Sequence, residues 1–566
     1  MGAFLFSTRD FDKAKVVDVL KSRGHKKVDV ESLADGGTLI HAPKILVDNV
    51  NYISAKDLDT ANAGDYICGV GTYFYKDKYG EDALKEVFCD LDVVLSENPV
   101  YGHWAFVVHK GDTTYIFNDM SGSLRLYYFV GGGKITISSS TTSVLASITQ
   151  PKFDKVRLGA FVASGYGNEI PFVEGIECVD PLKILVLKDG GAPRWIDRKE
   201  PEIPRINTLD EATAYCKELF NEQIRAIRTA IGDEPVGVEL TAGLDSRLIA
   251  ANIKNSGLNY NFISYPLFGP DSEIANLIGA GLGKEVWVLA NESAKDGAAA
   301  RYGEFDFGFN YYRQYCNDRW KIKNKFQFSG ARGECLDTPD MYSDEDISMM
   351  KDPRLVSLLK PICVRKDLTP NYQRLYFEHL KDLYKSRGFD VEADLSEKEQ
   401  VRFNQMMAGQ FTGDYMYNSG VQAHLYFYQI YNEYHFNHFI MDIAFNAKSG
   451  RKLTLALIKT IDSELAAFPF VSRRRTRMNS VAEVSELPMQ YKSYNRIKQI
   501  LPKFVVNYLY GRMGRKFDTS KLSGADLSIY EEMFDVKKFV RYPNLYSGYL
   551  NRLASVEVLR KKFNIE

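Results

Sequence analysis

One stretch constrains the fold of this 566-residue chain more than any other, Pro235 to Ile253, which reads PVGVELTAGLDSRLIAANI. Val236, Val238 and Leu240 alternate as the apolar face of a half-buried strand, and Leu248, Ile249 and Ile253 continue at helical spacing. Between them Thr241-Ala242-Gly243-Leu244-Asp245-Ser246 forms a tight turn of small and hydroxyl residues. Small side chains let the turn's N–H groups approach an anion, the Thr241 and Ser246 hydroxyls add donors, and the next helix points its positive end at the same place. The stretch predicts a phosphate cradle. The lysine of a GxxxxGK[ST] cradle is absent, and Asp245 stands at the mouth instead, suited to holding magnesium against a polyphosphate. The alternative is an ordinary strand-to-helix turn with an aspartate cap.

Thr241 to Ser246 resembles the SGGxDS pyrophosphate loop of the asparagine synthetase-like superfamily, whose members split ATP into AMP and pyrophosphate. Thr241 replaces the usual Ser and Ala242 the first Gly. The resemblance implies that Leu240, Thr241, Ala242, Gly243, Leu244, Asp245 and Ser246 bind the nucleotide, with Asp245 also catalytic and a magnesium ligand.

Downstream, Tyr260 to Tyr265 reads as a second strand, Asp271 to Leu282 as a helix ended by Gly283, and Glu285 to Leu289 as a third strand. Such a β-α-β-α-β series predicts a parallel sheet with helices on both faces, and ligands beyond the carboxyl ends of its strands. FGPDSEIANLIGAGLGKEVWVL resembles the superfamily's second βα unit, and Ser264, ending the strand before it, joins the nucleotide-binding set. Gln327 to Glu334, QFSGARGE, resembles the SGxGSDE loop. Ser329 and Gly330 match and are implied to bind the nucleotide, Ala331 stands where asparagine synthetases carry a glutamate, and Glu334 replaces the metal-binding aspartate. Asp245 and Glu334 are thus the implied magnesium ligands; a Gly-rich surface loop is the alternative. Gly450 to Leu455 resembles the K..LR element, which makes Lys452 the implied catalytic cation, although Ala456 stands at the arginine.

Residues before about 190 read as short strands and turns, clearest over Gly102 to Ser140. TTYIFNDMSGSLRLYYF and LGAFVASGYGNEIPFVEGIECVDPLKILVL resemble, in order, two segments of the amidotransferase domain of glutamine-dependent asparagine synthetases. That domain's nucleophile is a cysteine directly after the initiator Met, exposed as the N-terminal residue so that its free amine serves as base. Here Gly2 occupies the position and the first cysteine is Cys68, so no glutamine hydrolysis is expected. Asp189 to Pro204, rich in Pro, Gly and charge, reads as the domain boundary. Thr208 and Glu211 then form a capping box opening a helix whose buried face carries Tyr215, Leu219, Ile224, Ile227 and Ile231.

The total charge excludes little but points away from polyanions: 72 basic and 73 acidic residues leave a formal −1, so neither nucleic acid nor an acidic membrane is an expected partner. Seven widely spaced cysteines without a CxxC pair argue against a disulfide framework or zinc site. There is no membrane-length apolar run, and MGAFLFSTRD lacks the signal-peptide pattern, so a cytoplasmic protein is expected.

Asp340 to Gln429 reads as helical, and Tyr494 to Glu566 as amphipathic helices closing the second domain. His424, His435 and His438 lack diagnostic metal-ligand spacing, and Ser472 to Arg477 reads as a basic solvated loop, with contact to an anionic substrate as the alternative.

Together these readings predict an α+β, Ntn-like amidotransferase-type β-sandwich domain over 1–195. An α/β pyrophosphate-loop ATPase domain with a parallel sheet and helical C-terminal part follows over 205–566. The implied activity is an ATP- and Mg2+-dependent ligase that activates a small-molecule or peptide carboxylate as an acyl-adenylate and passes it to an amine or ammonia. The absence of a carboxylate at position 331, where Ala331 stands, favours an amine on the substrate itself, as in the β-lactam synthetases and lasso-peptide cyclases that this architecture resembles. The oligomeric possibility is a homodimer. The alternative function is a non-catalytic nucleotide-binding scaffold.

Overall fold

The computed structural model describes residues 2–33, 36–164, 171–188, 191–202, 204, 206–264, 271–289, 323–336, 354, 356, 359, 368–386, 388–396, 399, 421–436, 439, 451–476, 479–484, 522–541 and 546–566. It is a mixed α/β protein with two large antiparallel sheets and one parallel sheet.

The first antiparallel sheet runs Ile176–Cys178, Tyr127–Gly131, Lys134–Ser138, Ala3–Ser7, Thr38–Ala42, Asp29–Ser32 in spatial order. The second runs Arg194–Asp197, Lys183–Lys188, Thr113–Asn118, Tyr101–Lys110, Tyr66–Tyr75, Tyr52–Ser54. Strand alternation feeds two cores at once. Phe4 and Phe6 face the second sheet's Cys68, Val70, Ala105 and Val107, whereas Ala3 and Leu5 face Val16, Leu20, Leu158 and Phe161 of the helices outside. The second sheet's outer residues Trp104, Phe106 and Val108 lie under Leu84 and Val87 of the helix Gly80–Cys89. The result is a helix–sheet–sheet–helix stack.

Two sequence expectations change here. The boundary run contains the strand Arg194–Asp197, which extends the second sheet because Trp195 covers Tyr128, ring centroids 5.4 Å apart. Among the described residues, the C-terminal helix Ser547–Phe563 and the mid-chain helix Pro370–Ser386 pack against the first antiparallel sheet's side of the molecule. Tyr372, Tyr376, Leu550 and Leu553 join the first unit's outer core, Arg552 Nε donates to Val162 O at 2.6 Å, and Glu566 N donates to Pro151 O at 3.0 Å. Their helical character was legible; which apolar surface they would cover was not.

The five parallel strands are β1 (Val236–Glu239), β2 (Tyr260–Ser264), β3 (Val286–Val288), β4 (Phe326–Phe328) and β5 (Tyr426–Tyr428), in spatial order β3-β2-β1-β4-β5. The strand β5 falls within the run read as helical; its three aromatic residues are 1–3% exposed or less and pair with β4. The helix α1 (Leu209–Ile231) opens with the Thr208–Glu211 capping box. With α2 (Asp245–Ser256) and α3 (Asp271–Leu282) it supplies Ile224, Ile227, Leu248, Ile249 and Ile274 to one core over Val236, Val238, Phe262 and Phe328. The run Val471–Thr476 is a strand paired with Asn479–Val484 rather than a loop. His438 lies outside the described residues, while His424 is buried and the His435 ring packs edge-on near Tyr434. Among the described residues no helix is long and apolar enough to cross a membrane.

The parallel sheet is joined to the second antiparallel sheet by a buried polar seam. Thr72 Oγ1 donates to Gln422 Oε1 at 2.7 Å, Gln429 N donates to His103 Nε2 at 3.0 Å, and Gly102 N donates to Glu433 Oε1 at 2.7 Å.

Candidate functional site

From β1 the chain moves laterally to β2 and β3, whereas β4 leads to β5 on the other side. Loops at the carboxyl ends of such neighbouring strands diverge, and an open α/β sheet has its binding crevice there. The loops 240–246 and 329–333 leave β1 and β4 at that point.

Two glycines bring the loops into contact. A Cβ on Gly330 would lie 2.4 Å from both Cα and N of Ser246, and one on Gly333 would lie 2.4 Å from Asp245 Cβ and 2.8 Å from Tyr431 Cε2. Any side chain at either position would fill the space beside the first turn of α2. The Tyr431 hydroxyl adds a clamp by donating to Asp245 O at 2.9 Å.

Within the first loop the backbone donors are largely engaged by the protein. Thr241 N donates to Ser246 Oγ at 3.0 Å, Gly243 N to Thr241 Oγ1 at 3.2 Å, and Ala242 N to Asp271 Oδ1 at 2.9 Å. The two hydroxyls, Thr241 Oγ1 and Ser246 Oγ, are themselves 3.0 Å apart. A helix leaves its first N–H groups without intrahelical acceptors, so the start of α2 rather than residues 241–243 offers backbone donors for an anion. The side chains of Leu240, Ala242 and Leu244 are buried in the core beneath, so only their backbone faces the loop.

Ser264 ends β2 fully buried, and its hydroxyl has no hydrogen-bond partner among the described residues. Buried hydroxyls are ordinarily paired, so this one is an exception. Ser329 is buried too and accepts from Ala331 N at 3.2 Å. Glu334 follows in the 3-10 turn Gly333–Leu336, which places its backbone directly after the contact with Asp245; its side chain lies outside the described residues.

Lys452 is brought less close. It begins the helix Lys452–Ile461, which packs on α1 and α2 through Leu453 and Leu457, but the lysine itself is exposed. Among the described residues no hydrogen bond or ion pair ties it to either loop. Arg247 is fully buried and donates to Phe468 O and Pro469 O at 2.7 Å each, anchoring α2, and burial lowers its pKa to about 10.

The sequence assigns no site role to Asp271, Tyr431 or the pair Glu239–Gln327, which the structure brings to the loops. Gln327 Nε2 donates to Glu239 Oε1 at 2.6 Å across β4 and β1, just beneath the two loops. Asp271 carried the signal of an acidic helix start; Tyr431 carried none.

Gly2, directly before the strand Ala3–Ser7, has no room beside it. A Cβ there would stand 1.3 Å from Ala42 O, which also accepts from Asn51 Nδ2 at 3.0 Å.

The chain matches no protein-family model and no curated protein. Among solved structures it is similar to glutamine phosphoribosylpyrophosphate amidotransferase from B. subtilis complexed with ADP and GMP, at 10% identity and a TM-score of 0.24, over 51% of this chain and 81% of that one. A structure described as the allosteric regulatory enzyme of purine biosynthesis is similar at 9% identity and a TM-score of 0.25, over 51% of this chain and 80% of that one. At such TM-scores neither likeness bears on function.

Proposed function

We propose that the protein is an ATP-dependent ligase of the asparagine synthetase-like kind, which activates a carboxylate as an acyl-adenylate, releases pyrophosphate and passes the acyl group to an amine. The observation that carries this reading is the contact of Gly330 and Gly333 with Ser246 and Asp245 at the switch point of the parallel sheet. It supports two loops serving one ligand.

In this reading the start of α2 and the Thr241–Ser246 hydroxyl pair hold the pyrophosphate portion, and Asp271 keeps the loop in register through Ala242 N. Ser264 offers its buried hydroxyl to the nucleotide. Asp245 and Glu334 are the carboxylates that would hold magnesium, whose contribution is to neutralise phosphate charge. Lys452 would balance negative charge in the transition state once its flexible side chain swings to the loops. No carboxylate stands at Ala331 to accept a proton from ammonia, which favours an amine carried by the substrate itself. The helix–sheet–sheet–helix stack supports reading the N-terminal half as an Ntn-like glutaminase-type unit whose nucleophile is gone.

Pyrophosphate exchange into ATP, run with magnesium over a panel of carboxylic acids and peptides, tests the proposal. Exchange that depends on one acid and falls by about 100-fold or more in Asp245→Asn is the expected result. A second reading, a nucleotide-binding scaffold, is favoured by the engagement of Ala242 N with Asp271. ATP binding without exchange for any acid would support it and overturn the ligase.

A further inference from the structure

A cleft of about 900 Å³ opens at the amino ends of β4 and β5, the opposite end of the parallel sheet from the two loops. Its wall on one side is Lys325, which immediately precedes β4, and Tyr426, which begins β5; on the other it is the 43–50 loop and the Asp77–Asp82 turn of the antiparallel unit. Three strand residues, roughly 10 Å, separate it from the candidate nucleotide site.

The Tyr426 side chain is the cleft's distinctive feature. Tyr426 is 3% exposed, lines the cleft, and its hydroxyl has no hydrogen-bond partner among the described residues. Gly80 leaves the hydroxyl uncovered, since a Cβ there would lie 3.2 Å from Tyr426 Oη. Two lysine nitrogens lie near the ring, Lys44 Nζ 4.2 Å and Lys325 Nζ 5.9 Å from its centroid.

These two lysines differ in what they have left to give. Lys44 is buried, which holds its pKa well below the ordinary lysine value, and its nitrogen is directed at the carbonyls of Leu425, Gln422 and Gly71 at 3.1, 3.4 and 3.5 Å, so it has no proton left for a ligand. Lys325 donates to Tyr79 Oη at 2.8 Å, and its other two N–H groups have no acceptor among the described residues. A phenol hydroxyl open to the cleft and a lysine beside it, both with donors to spare, suit an oxyanion.

The remaining charges narrow the ligand. Five lysines line the cleft against four carboxylates, and Asp48, Asp77 and Asp82 enter no ion pair among the described residues. A polyphosphate would meet repulsion from these carboxylates, whereas a molecule carrying one carboxylate and one ammonium would match both groups. We propose that this cleft binds an amino acid, its carboxylate accepting from Tyr426 Oη and Lys325 Nζ and its ammonium meeting the carboxylates of the Asp77–Asp82 turn. The ligand is distinct from the acid activated at the nucleotide site, because the intervening strands hold the two places apart.

The test is calorimetric titration of the full-length protein with each of the standard amino acids, every binder being repeated as its N-acetyl and carboxamide derivatives. The expected result is at least one amino acid with a Kd of about 1 mM or tighter. Both derivatives, Tyr426→Phe and Lys325→Gln should each weaken it by about tenfold or more, and Asp245→Asn should leave it unchanged. Tyr426→Phe keeps the ring and its packing, so it stands alone if the lysine variant fails to fold. Absence of binding by every amino acid, binding equal in Tyr426→Phe, or equal binding of either derivative overturns the proposal. Loss of binding in Asp245→Asn also overturns it, by placing the ligand between the two loops.

Discussion

Gly330 rests on Ser246 so closely that a Cβ would stand 2.4 Å from the serine's backbone nitrogen. The second loop therefore depends on the absence of a side chain to reach the first. Gly330→Ala is expected to force the loops apart, at an overpacking cost of about 1–3 kcal/mol, and to weaken ATP binding by about tenfold or more. Thermal unfolding and ATP titration read the two effects separately. Undiminished ATP affinity in a variant of lowered Tm would mean that the loops touch without sharing a ligand.

Gly2 makes a comparable statement about the N-terminal unit. With Ala42 O only 1.3 Å from where a Cβ would be, a cysteine there has nowhere to put its thiol without moving the chain. Gly2→Cys is expected to destabilise by about 1–3 kcal/mol and to release no glutamate from glutamine. Glutamate production by this variant would show that the surroundings of a working glutaminase survive there.

Glu433 supplies a pH prediction. Burial pushes its carboxyl up to about 8 from an ordinary 4.5; the nearby Asp119 carboxylate adds to this, outweighing the bonds from Tyr428 Oη and Gly102 N. The folded protein keeps this proton where the unfolded chain has lost it, so the group's contribution is complete below pH 4.5 and is lost as pH rises through about 8. Glu433→Gln, which stays neutral, is expected to remove up to about 1.4 kcal/mol per pH unit from the downward slope. Urea midpoints of both proteins between about pH 5 and pH 8 measure it. Parallel slopes would show that Glu433 is ionised in the fold.

Much of the candidate site was legible because its backbone is local. The alternation of Val236, Val238 and Leu240, the small turn and the capped helices specify a strand–turn–helix without reference to distant residues, and the structure forms β1, α2, β2 and α3 where those patterns lie. Asp271 was visible only as a helix start, since nothing in the local pattern says that its carboxylate would reach Ala242 N, 29 residues earlier. The pairings of Tyr431 with Asp245 and of Gln327 with Glu239 were invisible for the same reason: the partners lie on other elements.

By itself, then, the amino-acid order determined the periodic elements, their caps and the βα sequence that requires a parallel sheet, because hydrophobic spacing and turn chemistry act over a few residues. Tertiary structure alone decided which surfaces those elements cover. The helices around Tyr372 and Leu553 carry apolar faces suited to many surfaces, and only packing assigns them to Phe161 and Leu158 of the antiparallel unit. Burial is non-directional, so an amphipathic face specifies that it will be covered but not by what.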